Sequence, residues 1–501
     1  MIRRLHFLSM TILCWFCLSL AAQAGQQITI LHWNDFHAQN LPWKDKIEGI
    51  EVTVGGAAYL AGLLDSLKTR LPGAITLHAG DEFTGTPISS ITAGQSQIEI
   101  LNKIMPDAFE LGNHEFDYGW ANLKERRAAA NFPMLCCNVL DSATGQPIAQ
   151  PDIVLQRHGV KIAVIGVMHR NMAASVLAGA LQGLKIVDPA PIVNQLLDSL
   201  EVFTDIQVAL THEGVAEDQR LAQRCPRLDV IVGGHRHATL FEPLVENGVP
   251  ILEAGSRGEY LGIFQAEVDT AANRIVSCNG KLVLVDVKSI RPRDDIAALV
   301  GAQEGVVSAE LNKVIGRLAD PWVRADEAES NVGDWTCDAM IHLTGRDVAF
   351  INSGGLRKDV PAGPVTVRDI WELHPFGNKL MGFELTGDEL RRAISFQAKE
   401  GSHFLQVGGL RYRARRHSGE ILDLSVGGKP VDPERKYPVV TNEYVIGHSE
   451  KYFGFGLGDR EITDLGWIDR ELVLKAFSSE LTASPQAGTV QSKKDGRIVL
   501  E

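Results

Sequence analysis

Apolar runs bounded by glycine and aspartate alternate with amphipathic stretches through residues 25–290 of the chain. In the stretch 56–71, Leu60, Leu63, Leu64 and Leu67 recur at the spacing of one helix face. Runs rich in valine, isoleucine and leucine are typical of strands that are buried on both faces. The runs predicted as strands cover residues 28–33, 74–79, 132–139, 162–167, 206–210 and 230–232. This alternation predicts an α/β fold built in layers.

The pattern changes after residue 257. Residues 258–287 are rich in strand-like alternation, and Arg291-Pro292-Arg293 interrupts the regular structure. Residues 294–315 have few turn signals and predict a long helix that connects two domains. The sequence therefore predicts a first domain over residues 25–290, a linker helix within 291–315 and a second α/β or α+β domain over 316–501.

Residues 1–24 are predicted to be a cleavable signal peptide. Arg3 and Arg4 precede an apolar stretch over residues 5–20, and Ala22-Gln23-Ala24 is a small-residue cleavage site. Neither cysteine of this segment lies in a lipobox-like setting, so we expect no membrane anchor. A periplasmic or secreted protein is therefore expected.

Composition and net charge indicate which kinds of molecule the protein can bind. Of the 501 residues, 45% are hydrophobic, and the net charge is −13. Removal of the signal peptide takes away Arg3 and Arg4, which makes the net charge more negative by two. Such an acidic chain is a poor partner for nucleic acids, although small anionic substrates remain compatible with local positive charge. Of seven cysteines, five follow residue 24, and they are predicted to be mostly buried small apolar residues, with one or two disulfide bridges as the alternative. The oligomeric state is not indicated.

Five short segments place metal-ligand residue types where apolar strands should end. Because ligands gather outside the carboxyl ends of strands in open α/β sheets, we expect these residues to lie close together. Each histidine or aspartate alone is more often a structural residue, but their joint occurrence favours a site for two metal ions. The residues are Asp35, His37, Asp81, Asn113, His114, Asp117, His212, His235 and His237.

The segment from Gly112 to Asp117 is the most specific of the five. Asn113 can offer its side-chain oxygen to a metal, and His114 can reach a substrate instead. Asp117 lies three residues on and can fix the tautomer of His114. Imidazole, carboxylate and amide ligands together suit zinc, manganese or iron. Paired metals are a frequent means of attacking phosphate esters.

At these motifs the chain resembles the calcineurin-like metallophosphoesterases, and more narrowly the secreted two-domain 5'-nucleotidase family. The second half carries matching motifs at Asn331-Val332-Gly333-Asp334, 352–357, 374–378 and 404–410. The resemblance implies a four-layer α/β/β/α metallophosphatase domain, a connecting helix and a C-terminal α/β substrate-binding domain.

The resemblance also implies residue roles. One divalent metal, zinc, manganese or similar, would be held by Asp35, His37, Asp81 and His237. The other would be held by Asp81, Asn113, His212 and His235, with Asp81 as the bridge. His114 and Asp117 match the catalytic dyad, and Asn352, Arg357 and Phe376 match substrate-binding positions. In the second aromatic loop, Phe455 or Phe453 is expected to stack on a base.

The implied function is hydrolysis of phosphate monoesters of nucleotides by a hydroxide activated between the two metals, in nucleotide catabolism. The chain departs from the family pattern at two places near the predicted nucleotide contacts. The second aromatic loop reads Ser449 to Gly456 in place of the family's glycine-rich run, and Asp326 stands where an arginine is expected. The alternatives are a UDP-sugar hydrolase, a 2',3'-cyclic-nucleotide phosphodiesterase or a thiosulfohydrolase on the same scaffold. A catalytically inactive secreted binding protein is the remote alternative.

Overall fold

The strand-like runs of residues 26–290 form two six-stranded sheets. The computed structural model describes residues 26–501 except 48, 401–402 and 479–488, so the predicted signal peptide lies outside the described residues. The strands of this half are β1 Gln26–Trp33, β2 Trp43–Ile47, β3 Ile50–Val54, β4 Ile75–His78, β5 Ala108–Glu110, β6 Met134–Leu135, β7 Val139–Asp141, β8 Asp152–Arg157, β9 Val160–Met168, β10 Leu184–Ile186, β11 Ile206–His212, β12 Val230–Val232, β13 Leu244–Glu246, β14 Val249–Leu252, β15 Tyr260–Asp269 and β16 Arg274–Leu284. The helices are α1 Ala57–Arg70, α2 Pro87–Ile91, α3 Gln95–Ile104, α4 Gly119–Ala129, α5 Pro189–Leu200 and α6 Val215–Arg224.

The two sheets pack face to face between two helical layers. The first sheet has the order β16-β15-β1-β4-β5-β6 and the second β13-β14-β12-β11-β9-β8. Side chains such as Ile30, Leu77, Val164 and Val208 fill the space between the sheets. A second cluster lies between the first sheet and helices α1 and α3, and a third lies between the second sheet and helices α5 and α6. The order is helix, sheet, sheet, helix, which confirms the predicted four-layer fold.

The second half of the chain is built on a five-stranded sheet of order β21-β18-β25-β20-β26, flanked by two hydrophobic cores. Its strands are β17 Val314–Leu318, β18 Val348–Asn352, β19 Gly363–Thr366, β20 Lys379–Thr386, β21 Leu405–Gly408, β22 Leu410–Ala414, β23 Ile421–Val426, β24 Lys429–Pro430, β25 Lys436–Asn442, β26 Thr463–Ile468, β27 Thr489–Val490 and β28 Ile498–Leu500. The helices, with the connecting helix first, are α7 Asp294–Leu311, α8 Asn331–Thr344, α9 Val367–Leu373, α10 Gly387–Glu400, α11 Glu443–Gly447, α12 Ser449–Phe453 and α13 Asp469–Ser478.

Helix α7 begins where the sequence predicts but ends earlier. It stops at Leu311 instead of residue 315, because the β-branched Val314 and Ile315 begin strand β17, which pairs with β19. Ile296 and Val300 bury one side of the helix against the first half of the chain. On the other side, Arg368 donates a 2.7 Å hydrogen bond to Glu304. The helix therefore contacts both halves.

The single strand predicted over residues 132–139 is two short strands, β6 and β7. The amide of Cys136 donates to the Gln150 carbonyl, and the amide of Cys137 donates to the Gly166 carbonyl in the second sheet. These bonds turn the chain out of the first sheet. Among the described residues the five cysteines are free, four of them buried. No helix in the described ranges has the length and apolar character to cross a membrane.

Candidate metal centre and catalytic cleft

The predicted ligands all follow strands at one edge of the two sheets. In the first sheet β1, β4 and β5 run parallel, and in the second β9, β11, β12 and β14 do so. Parallel strands end at the same edge of a sheet, so the loops after β1, β4 and β5 meet the loops after β11 and β12. Nine predicted ligand and catalytic residues lie on these loops or at the strand ends.

A first cluster joins the loop after β1 to the loop after β12. Nε2 of His37 lies 3.0 Å from Nε2 of His237. Nε2 of His237 lies 3.4 Å from Oδ1 of Asp35. One potential ligand atom from each of these residues lies within 4.8 Å of the other two. All three side chains can therefore contact one cation.

A second cluster consists of Asp81, His212 and His235. Nε2 of His212 lies 3.0 Å from Oδ2 of Asp81, and the ligand atoms of all three residues lie within 4.8 Å of one another. Nδ1 of His235 lies 2.9 Å from the side-chain oxygen of Asn113. The amide oxygen of Asn113 is thus available to the same cation.

Asp81 lies between the two clusters. Its carboxylate is within 4.8 Å of ligand atoms of both His37 and His114. Burial raises the pKa of Asp81, but the charges of His212 and His114 outweigh it and hold that pKa well below its usual range. The carboxylate is ionised at neutral pH and can bridge two cations.

The hydrogen bonds of His37 and His212 aim one ring nitrogen of each at the clusters. Nδ1 of His37 lies 2.8 Å from the Thr84 carbonyl, and Nδ1 of His212 lies 2.7 Å from the Ala79 carbonyl. A carbonyl only accepts, so both Nδ1 atoms carry a proton and Nε2 is left to face the cluster. Nε2 of His212 is buried and faces the Asp81 carboxylate at 3.0 Å.

This set of donors fits a pair of divalent metals. Burial lowers the pKa of His212, but the Asp81 carboxylate outweighs it and raises that pKa to about 10. A metal bound here would therefore displace a proton from Nε2 of His212. Imidazole, carboxylate and amide donors without thiolate suit zinc, manganese or iron.

Five of the seven predicted ligands have left-handed backbone. This conformation is uncommon for residues other than glycine and is concentrated at functional sites. The values of φ are 48° at Asp35, 51° at His37, 58° at Asp81, 87° at His235 and 58° at His237. The loops are thus folded for the placement of these side chains.

His114 and Asp117 form a hydrogen-bonded pair beside the clusters. Both lie in or directly after a single helical turn over Asn113–Phe116. Nδ1 of His114 donates to Oδ2 of Asp117 over 2.7 Å. Burial lowers the pKa of His114, but Asp117 and Asp81 outweigh it and raise that pKa to about 9. Nε2 of His114 lies 3.8 Å from Asp81, where it can reach a substrate bound at the metals.

Glu115 is the main residue of the site that sequence analysis left without a role. Its buried carboxylate accepts four backbone hydrogen bonds of 2.6–3.2 Å, from the amides of Asp81, Glu82, Phe83 and Gly112. It therefore holds the loop that presents Asp81. Its position beside two predicted functional residues was the only sequence signal.

The second half of the chain closes a cleft of about 550 Å³ over the clusters. Asn352, Arg357 and Phe376 line the cleft. The Phe376 ring stacks on the His114 ring with 5.6 Å between centroids, and the Arg357 guanidinium lies 5.9 Å from the Phe376 centroid. The oxygen of Asn352 accepts a 2.9 Å hydrogen bond from Asn442. The structure thus brings these three predicted substrate residues to the metal clusters.

Phe455 is the predicted site residue that the structure does not bring to the cleft. Helix α12 turns Tyr452 inward, and Gly454 then ends the helix with a left-handed φ of 76°. After Gly454, the half-buried Phe455 ring packs against a hydrophobic core of the second half and lies 4.8 Å from the Arg392 guanidinium, in a separate pocket. The expectation that Phe455 contacts substrate is therefore corrected.

Several residues that line the cleft have no role predicted from the sequence. Tyr444, Lys451 and Tyr452 form the wall that Phe455 was expected to occupy, and Asn378 lies near Phe376. Tyr444 and Lys451 also donate 2.7 and 2.9 Å hydrogen bonds to the Ala174 carbonyl of the first half. Their only signal was proximity to recognised motifs, because their contacts depend on how the two halves meet.

Two family models match the chain in order. A model described as calcineurin-like phosphoesterase matches residues 28–239. A model described as 5'-nucleotidase, C-terminal domain, matches residues 314–455. The first range contains all the predicted metal ligands, and the second contains Asn352, Arg357 and Phe376.

Known proteins resemble the chain over most of its length. It is 27% identical to a 5'-nucleotidase of Vibrio vulnificus, with 91% of each chain covered. It is 26% identical to the endonuclease YhcR of Bacillus subtilis over 96% of its own length, but it spans only 41% of that relative. The crystal structure of a 5'-nucleotidase precursor from Thermus thermophilus matches with a TM-score of 0.85 and 26% identity, covering 95% of this chain and 99% of the other.

Proposed function

Since this chain belongs to the 5'-nucleotidase family of two-domain calcineurin-like metallophosphoesterases, which hydrolyse phosphoester bonds, we propose that it removes the 5'-phosphate from nucleoside monophosphates. The observation that supports the proposal best is the placement of Arg357 and Phe376 opposite the two ligand clusters in one cleft. An anion-binding group and an aromatic ring of the cleft wall therefore face the metal ligands.

In this proposal two divalent ions, zinc, manganese or similar, occupy the clusters. Asp35, His37, Asp81 and His237 would hold one ion, and Asp81, Asn113, His212 and His235 would hold the other. When bound, such a pair supplies Lewis acidity that makes water a better nucleophile and neutralises charge on the phosphate.

The protein's own residues orient the phosphate and handle the proton. The planar guanidinium of Arg357 would bind two phosphate oxygens in a forked contact. His114, held by its 2.7 Å bond to Asp117, would present the proton on Nε2 to the leaving oxygen. The fixed pair limits the reorganisation needed as charge develops.

Phe376 would give preference for a nucleoside. One face of its ring is covered by His114, so a base would stack on the remaining face. Such stacking contributes about 1–3 kcal/mol per base. With Phe455 outside the cleft, Tyr444 and Tyr452 are the aromatic residues that would contact the nucleoside from the opposite wall. Asn352 would add a polar contact.

We further propose the division into domains at 25–290, 291–315 and 316–501, with metal ligands in the first and substrate contacts in the last. Export to the periplasm or medium is proposed from the sequence of residues 1–24. The acidic net charge supports a small nucleotide over a polynucleotide as substrate.

A substrate panel tests the function. The metal-loaded protein is assayed on AMP, UDP-glucose, a 2',3'-cyclic nucleotide, a thiosulfate conjugate and a small aryl phosphate. We expect the highest kcat/KM on AMP, and a higher value on any of the other natural substrates would contradict the proposal. Phe376→Ala should remove a stacking contribution of about 1–3 kcal/mol. The variant should therefore have a lower kcat/KM on AMP, while its kcat/KM on the aryl phosphate should not change. His114→Ala, expected to lose about 10²-fold or more on both, is the control for background activity.

A further inference from the structure

Arg257 is a half-buried residue that the proposed chemistry does not use. It lies in the turn between β14 and β15, with a left-handed φ of 54°, and is followed by Gly258 at 66°. Its amide donates a 2.7 Å hydrogen bond to the carbonyl of Asp35, the first predicted metal ligand. The indole N–H of Trp43 donates to the Arg257 carbonyl over 3.4 Å. The Arg257 backbone is therefore fixed to the loop that carries Asp35.

The Arg257 side chain reaches from this loop to the second half of the chain. Nη2 donates a 2.8 Å hydrogen bond to the backbone carbonyl of Arg357, 100 positions away in sequence. The amide of Arg357 donates to the Leu373 carbonyl over 2.9 Å. Both backbone polar groups of Arg357 are thus engaged, one of them by a residue of the metal-binding half.

A third arginine adds to this arrangement. Nη1 of Arg324 donates a 3.0 Å hydrogen bond to the carbonyl of Leu356, next to the carbonyl that Arg257 contacts. Burial, and then the charges of Arg357 and Arg324, lower the pKa of Arg257 to about 10. It remains charged at neutral pH. The three arginine charges raise the potential for an anion at Arg357, partly offset by Asp359, whose Oδ1 lies 3.4 Å from Nε of Arg324.

We propose that Arg257 is a positioning residue that fixes the Arg357 guanidinium relative to the metal ligands. Arg257 is hydrogen-bonded through its backbone to the Asp35 loop and through its side chain to the backbone carbonyl of Arg357. The phosphate-binding group of one half is thereby held at a set distance from the metal site of the other. This inference rests on the proposed role of Arg357 as a phosphate contact.

The test uses Arg257→Asn. Asparagine tolerates left-handed backbone, so the turn keeps its conformation while the guanidinium is removed. We expect kcat/KM on a small aryl phosphate to fall at least about tenfold, because small misplacements of a binding group are costly. The inhibition constant for inorganic phosphate should rise by a similar factor, and the metal content per chain should not change.

Arg127→Asn is the matched control. Arg127 is also half-buried and donates to a backbone carbonyl, that of Ile148, but away from the cleft. The Arg127→Asn variant should have a changed thermal stability and an unchanged inhibition constant for phosphate. If Arg257→Asn does not purify as a folded protein, Arg257→Lys is used, and a weaker effect of the same sign is expected. A wild-type phosphate inhibition constant in a folded Arg257 variant would overturn the inference.

A double-mutant cycle with Arg357→Met shows whether Arg257 acts through Arg357. In the Arg357→Met background, Arg257→Asn should lower kcat/KM by less than about twofold, since the group that it positions is already gone. Full additivity of the two losses would also overturn the inference. Because the readouts are an aryl phosphate and inorganic phosphate, a preference for a substrate other than AMP leaves this test intact. A wild-type protein without any phosphatase activity would instead contradict the proposed function.

Discussion

The left-handed residues at the ligand loops are held by hydrogen bonds between one loop and the next. The amides of Asp35 and His37 donate to the carbonyls of Gly80 and Asp81 over 2.9 and 3.0 Å. The amide of His235 in turn donates to the Asp35 carboxylate over 2.9 Å. Each left-handed residue costs about 1–3 kcal/mol, which persists only where surrounding contacts determine the conformation. The loops therefore hold the ligands as an interlocked set.

Glu115 stabilises the Asp81 loop of this set, and Glu115→Gln tests that role. A glutamine replaces one acceptor oxygen with an NH₂ group, which would face backbone amides that also donate. We expect metal affinity to fall about 10–100-fold, as is usual for residues that support metal ligands. Titration of apoprotein activity with Mn²⁺ measures the loss. The control is Glu99→Gln at an exposed position of α3, and equal metal affinity in both variants would refute the role.

Asp334 in α8 gives the second residue-scale prediction, on pH. Neither of its buried oxygens accepts a hydrogen bond, although Nε of Arg497 lies 3.4 Å away. Burial raises the pKa of Asp334 from 3.8 to about 8. The folded state then keeps a proton that the unfolded state releases, so this residue lowers stability as pH rises from about 4 to 8.

Asp334→Asn removes that titration. The variant should therefore gain more in melting temperature over the wild type at pH 8 than at pH 5. Thermal melts across this pH range provide the measurement. Asp338→Asn, which breaks the 2.7 Å ion pair with Arg497, is the comparison and should lose stability at both pH values. An Asp334→Asn protein whose gain is independent of pH would show that Asp334 is ionised in the fold.

At the residue scale, the sequence predicted which residues come together at the site better than it predicted the backbone conformation that places them. The predicted ligands and the His114–Asp117 pair do converge, because residue types and strand ends are visible in the sequence. Phe455 was misplaced because a single left-handed glycine, Gly454, turns the chain away from the cleft. Arg257 and Glu115 were missed because their partners are backbone atoms, which leave no pattern in the sequence.

At the scale of elements, the ends of helices set where the cleft residues lie. Helix α9 ends at Leu373, three residues before Phe376. Its N-cap residue is Thr366, whose hydroxyl accepts from the Asp369 amide while the Asp369 carboxylate accepts from the Thr366 amide. This reciprocal pair satisfies donors that the first turn leaves open. Element types were predictable from periodicity, but the end of α7 was not, since strand pairing decides it.

Thr366→Ala removes one half of this cap. We expect a loss of about 1 kcal/mol in the free energy of unfolding, within the usual range for N-cap substitutions. For a domain of this size that corresponds to about 2–4 °C in melting temperature. Thr344→Ala is the control, because the Thr344 hydroxyl donates to the Met340 carbonyl at the C-terminal end of a different helix, α8. Equal losses in the two variants would count against the cap.

At the scale of the whole molecule, the predicted metal ligands all belong to the first half, and the proposed substrate contacts of Arg357 and Phe376 belong to the second. The α/β layers of the first half were predictable from periodicity, and their four-layer order was predicted from the family resemblance. The meeting of the halves was not, since it rests on single contacts such as the hydrogen bond from Tyr444 to Ala174. The proposed substrate contacts therefore reach the predicted metal ligands through an interface that sequence patterns do not describe.

Removal of metal should affect the two halves differently. A cation that binds only the folded state stabilises it by about 2.7 kcal/mol when its concentration is 100 times the dissociation constant. Both clusters lie within residues 35–237 of the first half, so exhaustive chelation should abolish hydrolysis and lower the melting temperature of that half. Scanning calorimetry should show the transition of the second half shifted less. Re-addition of Mn²⁺ or Zn²⁺ should restore activity and melting together at two ions per chain. Activity that survives chelation, or restoration at one ion per chain, would contradict a two-metal centre bridged by Asp81.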